Sequence, residues 1–363
     1  MLHAEGVILH SLNDFCLFYC KSPKNILPLA QIVFCLTLKI FFDTIMTNRR
    51  DFLKRASALT LGALFMDGMA TKANAAEKNV MAGGPLGLQT YSLGRELSAD
   101  VPAGLKKIKE CGYSYVELAG YREGNIGQVP VADYKKMADD AGLQIVSSHL
   151  TPTVRGQYTK DNIEQIKEFW KKATEDHNKL GVQYMVQPTL PQCNSVEDAQ
   201  YVGEVFNAAG EISKAGGIQF GYHNHNYEFN RLTPGGTEPI SFAIRNFRPA
   251  QGQPMPKTVE EIFIESTDPS KVIFELDCYW TVMGGQDPVE WINKYADRIQ
   301  MLHIKDRLIL GDSGMMNFEQ IFKAFYSHNH KYFYVEIEDT NSGIQFSRIK
   351  ASADYLNARG FVK

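Results

Sequence analysis

The chain has 363 residues, 44% hydrophobic and 22% charged, with a formal net charge of −3. This composition excludes a largely disordered chain, a collagen-like fibre, a small disulfide scaffold and a multi-span membrane protein. The absence of a basic excess argues against an electrostatic nucleic-acid binder.

The charge is uneven along the chain. Residues 1–75 hold 8 Lys and Arg against 5 Asp and Glu, a net of +3, which leaves −6 for the rest. Read from Met46, the sequence places Arg49-Arg50 before Phe52-Leu53-Lys54, then a mildly apolar run, then Ala73-Asn74-Ala75. A charged start, a short apolar run and a small-x-small cleavage pattern, in that order, make an export signal. The paired arginines resemble those of the twin-arginine type, whose machinery carries folded proteins across a bacterial inner membrane. The expected organisation is an extension and signal over residues 1–75, with the true start at Met46, and a mature domain over 76–363 located in the periplasm. The apolar run is too short and too rich in Gly, Ser and Thr to span a membrane, and no span is expected in the mature domain. That domain keeps three widely spaced cysteines, Cys111, Cys193 and Cys278, and so no disulfide framework is indicated.

From residue 85 onward, short apolar runs alternate with longer amphipathic ones. Strands are predicted at 86–91, 113–118, 144–149, 183–187, 219–223, 272–277, 299–304 and 333–337. Helices are predicted at 103–110, 131–141, 161–179, 196–214, 259–265, 288–298, 318–327 and 346–359. Glycine recurs between a helix and the next strand, at Gly112, Gly142, Gly181 and Gly216-Gly217, where a helix C-terminus takes a left-handed residue. Eight such units predict a single (β/α)8 barrel of the α/β class. A doubly wound sheet is the alternative, but no glycine-rich phosphate loop follows an early strand. Residues 230–256 carry five Pro and three Gly after the fifth strand; they form either a catalytic-face lid or a surface excursion.

Chemistry in such a barrel sits at the C-terminal ends of the strands. There the sequence places Glu117, Ser147-Ser148-His149, Tyr222-His223-Asn224-His225 with Glu228 shortly after, Glu275 and Asp277, His303 with Lys305 and Asp306, and Glu336 with Glu338 and Asp339. Period-two alternation puts Glu275 with Asp277, His303 with Lys305, and Glu336 with Glu338 on shared faces. Several unpaired carboxylates buried together would be expensive without a cation, and histidines beside them are the ingredients of a divalent metal site. Tyr91, Tyr121, Tyr222, Tyr279 and Trp280 lie near the same ends and offer flat apolar faces on which a ring could stack.

The segments LGLQTYSL, GYSYVELAGY, SSH, GYHNHNYEF, ELDCYW, LHIKD and YVEIED, in this order across residues 85–360, resemble the xylose isomerase-like sugar phosphate isomerase/epimerase superfamily. The resemblance implies one divalent ion (Mn, Co, Zn or Mg) held by His223, Asp277, His303 and Glu336. His223 stands where the family pattern has a Glu. It also implies proton abstraction beside a carbonyl through an enediolate, with Glu336 as one catalytic acid/base group and His223, His149, Lys305 or Glu228 as the second. Tyr91, Glu117, His225, Glu228 and Trp280 would bind the substrate. The expected activity is a sugar isomerase or epimerase acting on a small carbohydrate, unphosphorylated if the chain is exported. A lyase removing a β-substituent from a 3-keto-glycoside or inosose is an alternative, as is a non-catalytic carbohydrate-binding barrel; a homo-oligomer is left open.

Overall fold

The computed structural model describes residues 84–362 apart from 245, 246, 250 and 341. The expected export signal and the Met46 start lie outside the described residues.

Eight strands close into a parallel barrel. In chain order the strands are β1 (Leu86–Gln89), β2 (Tyr113–Leu118), β3 (Tyr121–Arg122), β4 (Asn125–Ile126), β5 (Val129–Pro130), β6 (Gln144–His149), β7 (Tyr184–Gln187), β8 (Gln219–His223), β9 (Val272–Asp277), β10 (Ile299–Lys305) and β11 (Tyr332–Glu336). The barrel order is β1-β11-β10-β9-β8-β7-β6-β2, and β3, β4 and β5 form a separate small antiparallel sheet. The eight barrel strands match the predicted set within two residues at each end. β1 stops earlier than expected because Gln89 turns the chain into a 3-10 helix, Thr90–Leu93, its side chain accepting a bond from the Tyr91 N–H. The small sheet was not expected: two-residue strands carry no readable periodicity.

The helices start where short polar side chains can accept orphan N–H groups. Ser195 and Asp198 form a reciprocal capping box for Val196–Ala215, and Thr258 and Glu261 do the same for Val259–Ser266. Helix Ile163–Leu180 ends at Gly181 with φ 72°, a conformation that a β-carbon would strain. Among the described residues no helix is long and apolar enough to cross a membrane, and Cys111, Cys193 and Cys278 are buried free thiols.

The barrel lumen is a core of its own. Tyr115, Val146, Val186, Ile273, Met301, Tyr332 and Tyr334 pack inside it. Tyr115 sits edge-on to both Tyr332 and Tyr334, at 5.4 and 5.6 Å between ring centroids. Alternation then stacks function on packing. Ile273, Met301 and Tyr334 point inward at mid-height. Two residues further along the same strands are Glu275, His303 and Glu336, and beyond the first two lie Asp277 and Lys305.

The segment after β8 forms no long element. Arg231 bridges Ile240 and Thr258, and its guanidinium donates to the Pro256 carbonyl at 2.6 Å. Leu232, Pro234, Phe247 and Met255 line a surface cleft with Val196 and Ile262 of two barrel-wrapping helices. Of the two expectations, the excursion over the helix layer matches this packing better than a lid.

Candidate active site

The mouth of the barrel gathers carboxylates, imidazoles and one ammonium in near-complete burial. Glu117, Glu275, Asp277, His303 and Lys305 are fully buried, His223 is 1% exposed and Glu336 6%. At its centre His303 donates from Nε2 to Glu117 Oε2 at 2.6 Å and from Nδ1 to Glu336 Oε2 at 2.9 Å. Glu117 also accepts from Gln89 Nε2 at 2.8 Å and Ser147 Oγ at 2.6 Å. His149 Nε2 lies 2.8 Å from Glu275 Oε2 and 3.1 Å from Glu117 Oε2. Lys305 Nζ lies 2.8 Å from Glu336 Oε2 and 3.3 Å from Asp277 Oδ2, and it also pairs with Glu338.

The protonation pattern follows from these neighbours. Burial alone would raise the carboxylate pKa values and lower those of the cations. For Glu117 burial is outweighed by His149 and His303, which hold it well below the ordinary carboxylate range. Glu336 is held low against burial by Lys305 and His303, and Glu275 falls to about 2 despite burial and Glu117, through the three histidines around it. His303 is raised well above its usual value by Glu275 and Glu336, and His149 to about 9 by Glu117 and Glu275, in both cases against burial. Burial wins at Asp277, raised to about 6, and at His223, pushed well below 6.5 with His303 adding repulsion. Lys305 stays firmly protonated against burial, through Asp277, Glu336 and Glu338.

A divalent cation fits this donor set. His223 is neutral, and its Nδ1 lies 3.2 Å from Glu275 Oε2, where it donates. Its Nε2 lone pair then faces Asp277 Oδ2 at 3.9 Å, a buried oxygen that accepts no hydrogen bond and has the Lys305 ammonium at 3.3 Å on one side. Two acceptors turned toward one spot call for a positive charge between them. Donor atoms of His223, Asp277, His303 and Glu336 lie within 4.8 Å of one another, as do those of His149, His223, Glu275 and His303; to ligate, His303 would release one of its two ring protons, since only a ring nitrogen without its proton has a lone pair to give. Mixed nitrogen and oxygen donors suit first-row divalent ions.

Asp277 is positioned twice. Its Oδ1 caps helix Cys278–Met283 by accepting from the Trp280 N–H at 2.8 Å, and its own N–H donates to Asn224 Oδ1 at 3.1 Å. The cap brings Trp280 over the mouth, where its indole N–H donates to Glu338 at 3.2 Å and its ring lies 5.3 Å from Lys305 Nζ. His225 is 5.9 Å from the Trp280 ring. Glu228 Oε2 accepts from the His225 N–H at 2.9 Å and its Oε1 from the Tyr222 hydroxyl at 2.6 Å; burial lifts Glu228 to about 7. Tyr91 is 48% exposed at the rim.

Two of the expected substrate-binding residues are fully buried. Glu117 was expected to touch substrate, but it is sealed beneath His149 and His303 with both oxygens occupied, so it orients those rings. Glu228 is likewise buried, and it supports the His225 backbone. Of the expected stacking aromatics, Tyr222 is fully buried between Phe206 and Phe263 on the helix side of the sheet. Glu275, expected at the strand end but given no role there, lies at the centre of the imidazoles. Its placement two residues before Asp277, on the same strand face, was the available signal. Gln89 and Ser147 carried none, since uncharged polar residues at strand ends are common.

A closed parallel barrel with a buried ionisable cluster at its C-terminal mouth defines a class, and comparison with known proteins names it. The chain belongs to the xylose isomerase-like TIM barrel family, whose model matches residues 105–359, within the sugar phosphate isomerase/epimerase superfamily. A crystal structure of a sugar phosphate isomerase/epimerase from Parabacteroides distasonis ATCC 8503 is 49% identical, with 80% of this chain and 100% of that chain covered and a TM-score of 0.71. An L-ribulose 3-epimerase structure shares 16% identity over 77% of this chain and 94% of that chain, with a TM-score of 0.57, a likeness of fold. Inosose dehydratase of Geobacillus kaustophilus (strain HTA426) is 48% identical over 52 residues; the match spans 14% of this chain and only 17% of that protein's length.

Proposed function

We propose that the chain is a divalent-metal-dependent sugar isomerase or epimerase that removes a proton from the carbon beside a carbonyl. The observation that carries this reading is the convergence of donor atoms of His223, Asp277, His303 and Glu336 within 4.8 Å of one another in a buried site. When bound by these four residues, a divalent ion (Mn, Co, Zn or Mg) would polarise a carbonyl and its neighbouring hydroxyl. The protein's own groups then have distinct tasks. Glu336 is ionised and reaches the mouth, so it is the base. Lys305 presents a fixed ammonium to the negative charge that develops on the enediolate oxygens. His149 carries a proton and lines the neighbouring cleft, so it is the acid that returns a proton or assists a leaving hydroxyl. His225, Trp280 and Tyr91 hold the sugar at the rim.

A β-eliminating lyase acting on an inosose or 3-keto-glycoside is the second reading. The short inosose dehydratase match and the protonated His149 favour it. With residues 1–75 read as an export address, the substrate is met in the periplasm and is unphosphorylated.

The test is incubation of metal-loaded protein with ketoses, inososes and 3-keto-glycosides in D₂O, followed by NMR. Deuterium beside the carbonyl supports the reading, and the product separates epimerisation, isomerisation and elimination. No exchange with any of them, or no metal taken up, favours a binding barrel instead.

A further inference from the structure

The mouth has a second compartment that the proposed chemistry does not use. A cleft of ≈ 710 Å³ opens beside His149, lined by Tyr121, Arg122 and Glu123 of the small-sheet segment, by Thr151, Thr153 and Arg155 after β6, and by Phe169 and Lys172 of helix Ile163–Leu180. His149 thus faces both the ionisable cluster and this cleft.

The charge of the cleft is out of balance. The guanidinium groups of Arg122 and Arg155 make no hydrogen bond and no ion pair with any described residue. Lys172 binds both oxygens of Asp176 at 2.7 and 2.8 Å, but the same carboxylate also takes Lys179 at 3.0 Å and the Tyr121 hydroxyl at 2.8 Å. One carboxylate is therefore shared by two ammonium groups. Besides the protonated His149, the lining holds Arg122, Arg155 and Lys172 against the single carboxylate of Glu123, in a chain whose net charge is −3. The ionisable cluster, by contrast, gathers the carboxylates Asp277, Glu336 and Glu338 around the single ammonium of Lys305. Tyr121 is fixed by Asp176 and lies edge-on to Phe169 at 6.2 Å, which gives the cleft an apolar wall beside its guanidinium groups.

Unpaired guanidinium groups present planar forks that match carboxylate or phosphate oxygens. We propose that this cleft is an anion-recognising subsite, and that the substrate is a sugar acid whose carboxylate lies there while its reacting carbon sits over the His303 cluster. The proposal rests on the carbohydrate reading above. It adds that the charge asymmetry of the mouth sets the direction in which the substrate enters. A carboxylate is chosen over a phosphate because it agrees with an unphosphorylated substrate.

The test measures binding of glucuronate, glucose 6-phosphate and glucose by calorimetry, for the wild type and for Arg122→Gln/Arg155→Gln. Both arginines are exposed and lack partners, so the double variant is expected to fold normally. Glucuronate should bind about ten-fold or more tighter than glucose, and the variant should abolish that preference while leaving glucose unchanged. Raising salt from about 50 to about 500 mM should weaken glucuronate alone. Preference for glucose 6-phosphate over glucuronate would overturn the carboxylate assignment. Equal binding of all three, binding of none, or a preference that survives in the variant would overturn the subsite. The D₂O exchange of neutral keto-sugars separates this from the catalytic reading: it should persist in the variant, and its absence in the wild type would count against the catalysis and not against the subsite.

Discussion

His303 Nε2 lies 2.6 Å from Glu117 Oε2, joining a histidine of the seventh barrel strand to a glutamate of the second across the barrel axis. Gln89 and Ser147 hold the same carboxylate from two further strands. Breaking a buried pair by removing one partner costs roughly 3–5 kcal/mol. Glu117→Ala is therefore expected to lower unfolding free energy by about that much in urea titration, with Glu117→Gln intermediate. A loss under about 1 kcal/mol would mean that the network is not structural.

Elemental analysis of the purified protein is expected to find one divalent ion per chain, and Asp277→Ala or His303→Ala to lose it. The ion binds the folded form, so excess metal should raise the melting temperature of the wild type and leave both variants unmoved. Equal metal content in all three would remove these residues from the ligand set.

Gly87 lets the tyrosine lumen form. A β-carbon there would lie 2.2 Å from Tyr115 Cε2 and 2.4 Å from the Phe333 carbonyl oxygen. Gly87→Ala is expected to destabilise by about 1–3 kcal/mol or more, since ring and backbone must both shift. Thermal melting at unchanged metal content checks this, and an unshifted midpoint contradicts it.

His177, edge-on to Tyr121 at 4.7 Å, gives the barrel an acid sensitivity outside the ionisable cluster. Its ring is fully buried, its Nδ1 bonded to the Ala173 carbonyl at 2.7 Å and its Nε2 without a partner. Burial depresses its pKa from 6.5 to about 4. Below pH 6.5 the unfolded chain takes up a proton that the folded chain refuses. The stability is complete above pH 6.5 and declines as pH falls toward 4, by on the order of 3 kcal/mol. His177→Gln should flatten that window in denaturation series at several pH values. Parallel slopes in variant and wild type would assign the sensitivity elsewhere.

The barrel was legible because its signals are long. Eight apolar runs such as 272–277, alternating with amphipathic stretches closed by glycine, leave little choice of architecture. The ionisable residues were legible for the same reason: period two puts Glu275 with Asp277 and His303 with Lys305 whatever the rest of the fold does. Height within the barrel was not legible. Glu117 and Tyr222 read as mouth residues, yet one is sealed beneath two imidazoles and the other faces the helix layer, because a strand pattern does not say how deeply a position is covered or by what. The Tyr121–Pro130 sheet escaped notice because its strands are two residues long, and with it went the cationic cleft, assembled from three segments that are distant in sequence.

The most direct test of the central claim is proton exchange in D₂O by metal-loaded wild type and Glu336→Gln, side by side on a keto-sugar that the wild type accepts. The account expects deuterium beside the carbonyl with the wild type, and a loss of about 10²-fold or more with Glu336→Gln at full metal content. Exchange at the wild-type rate by Glu336→Gln would show that another group takes the proton.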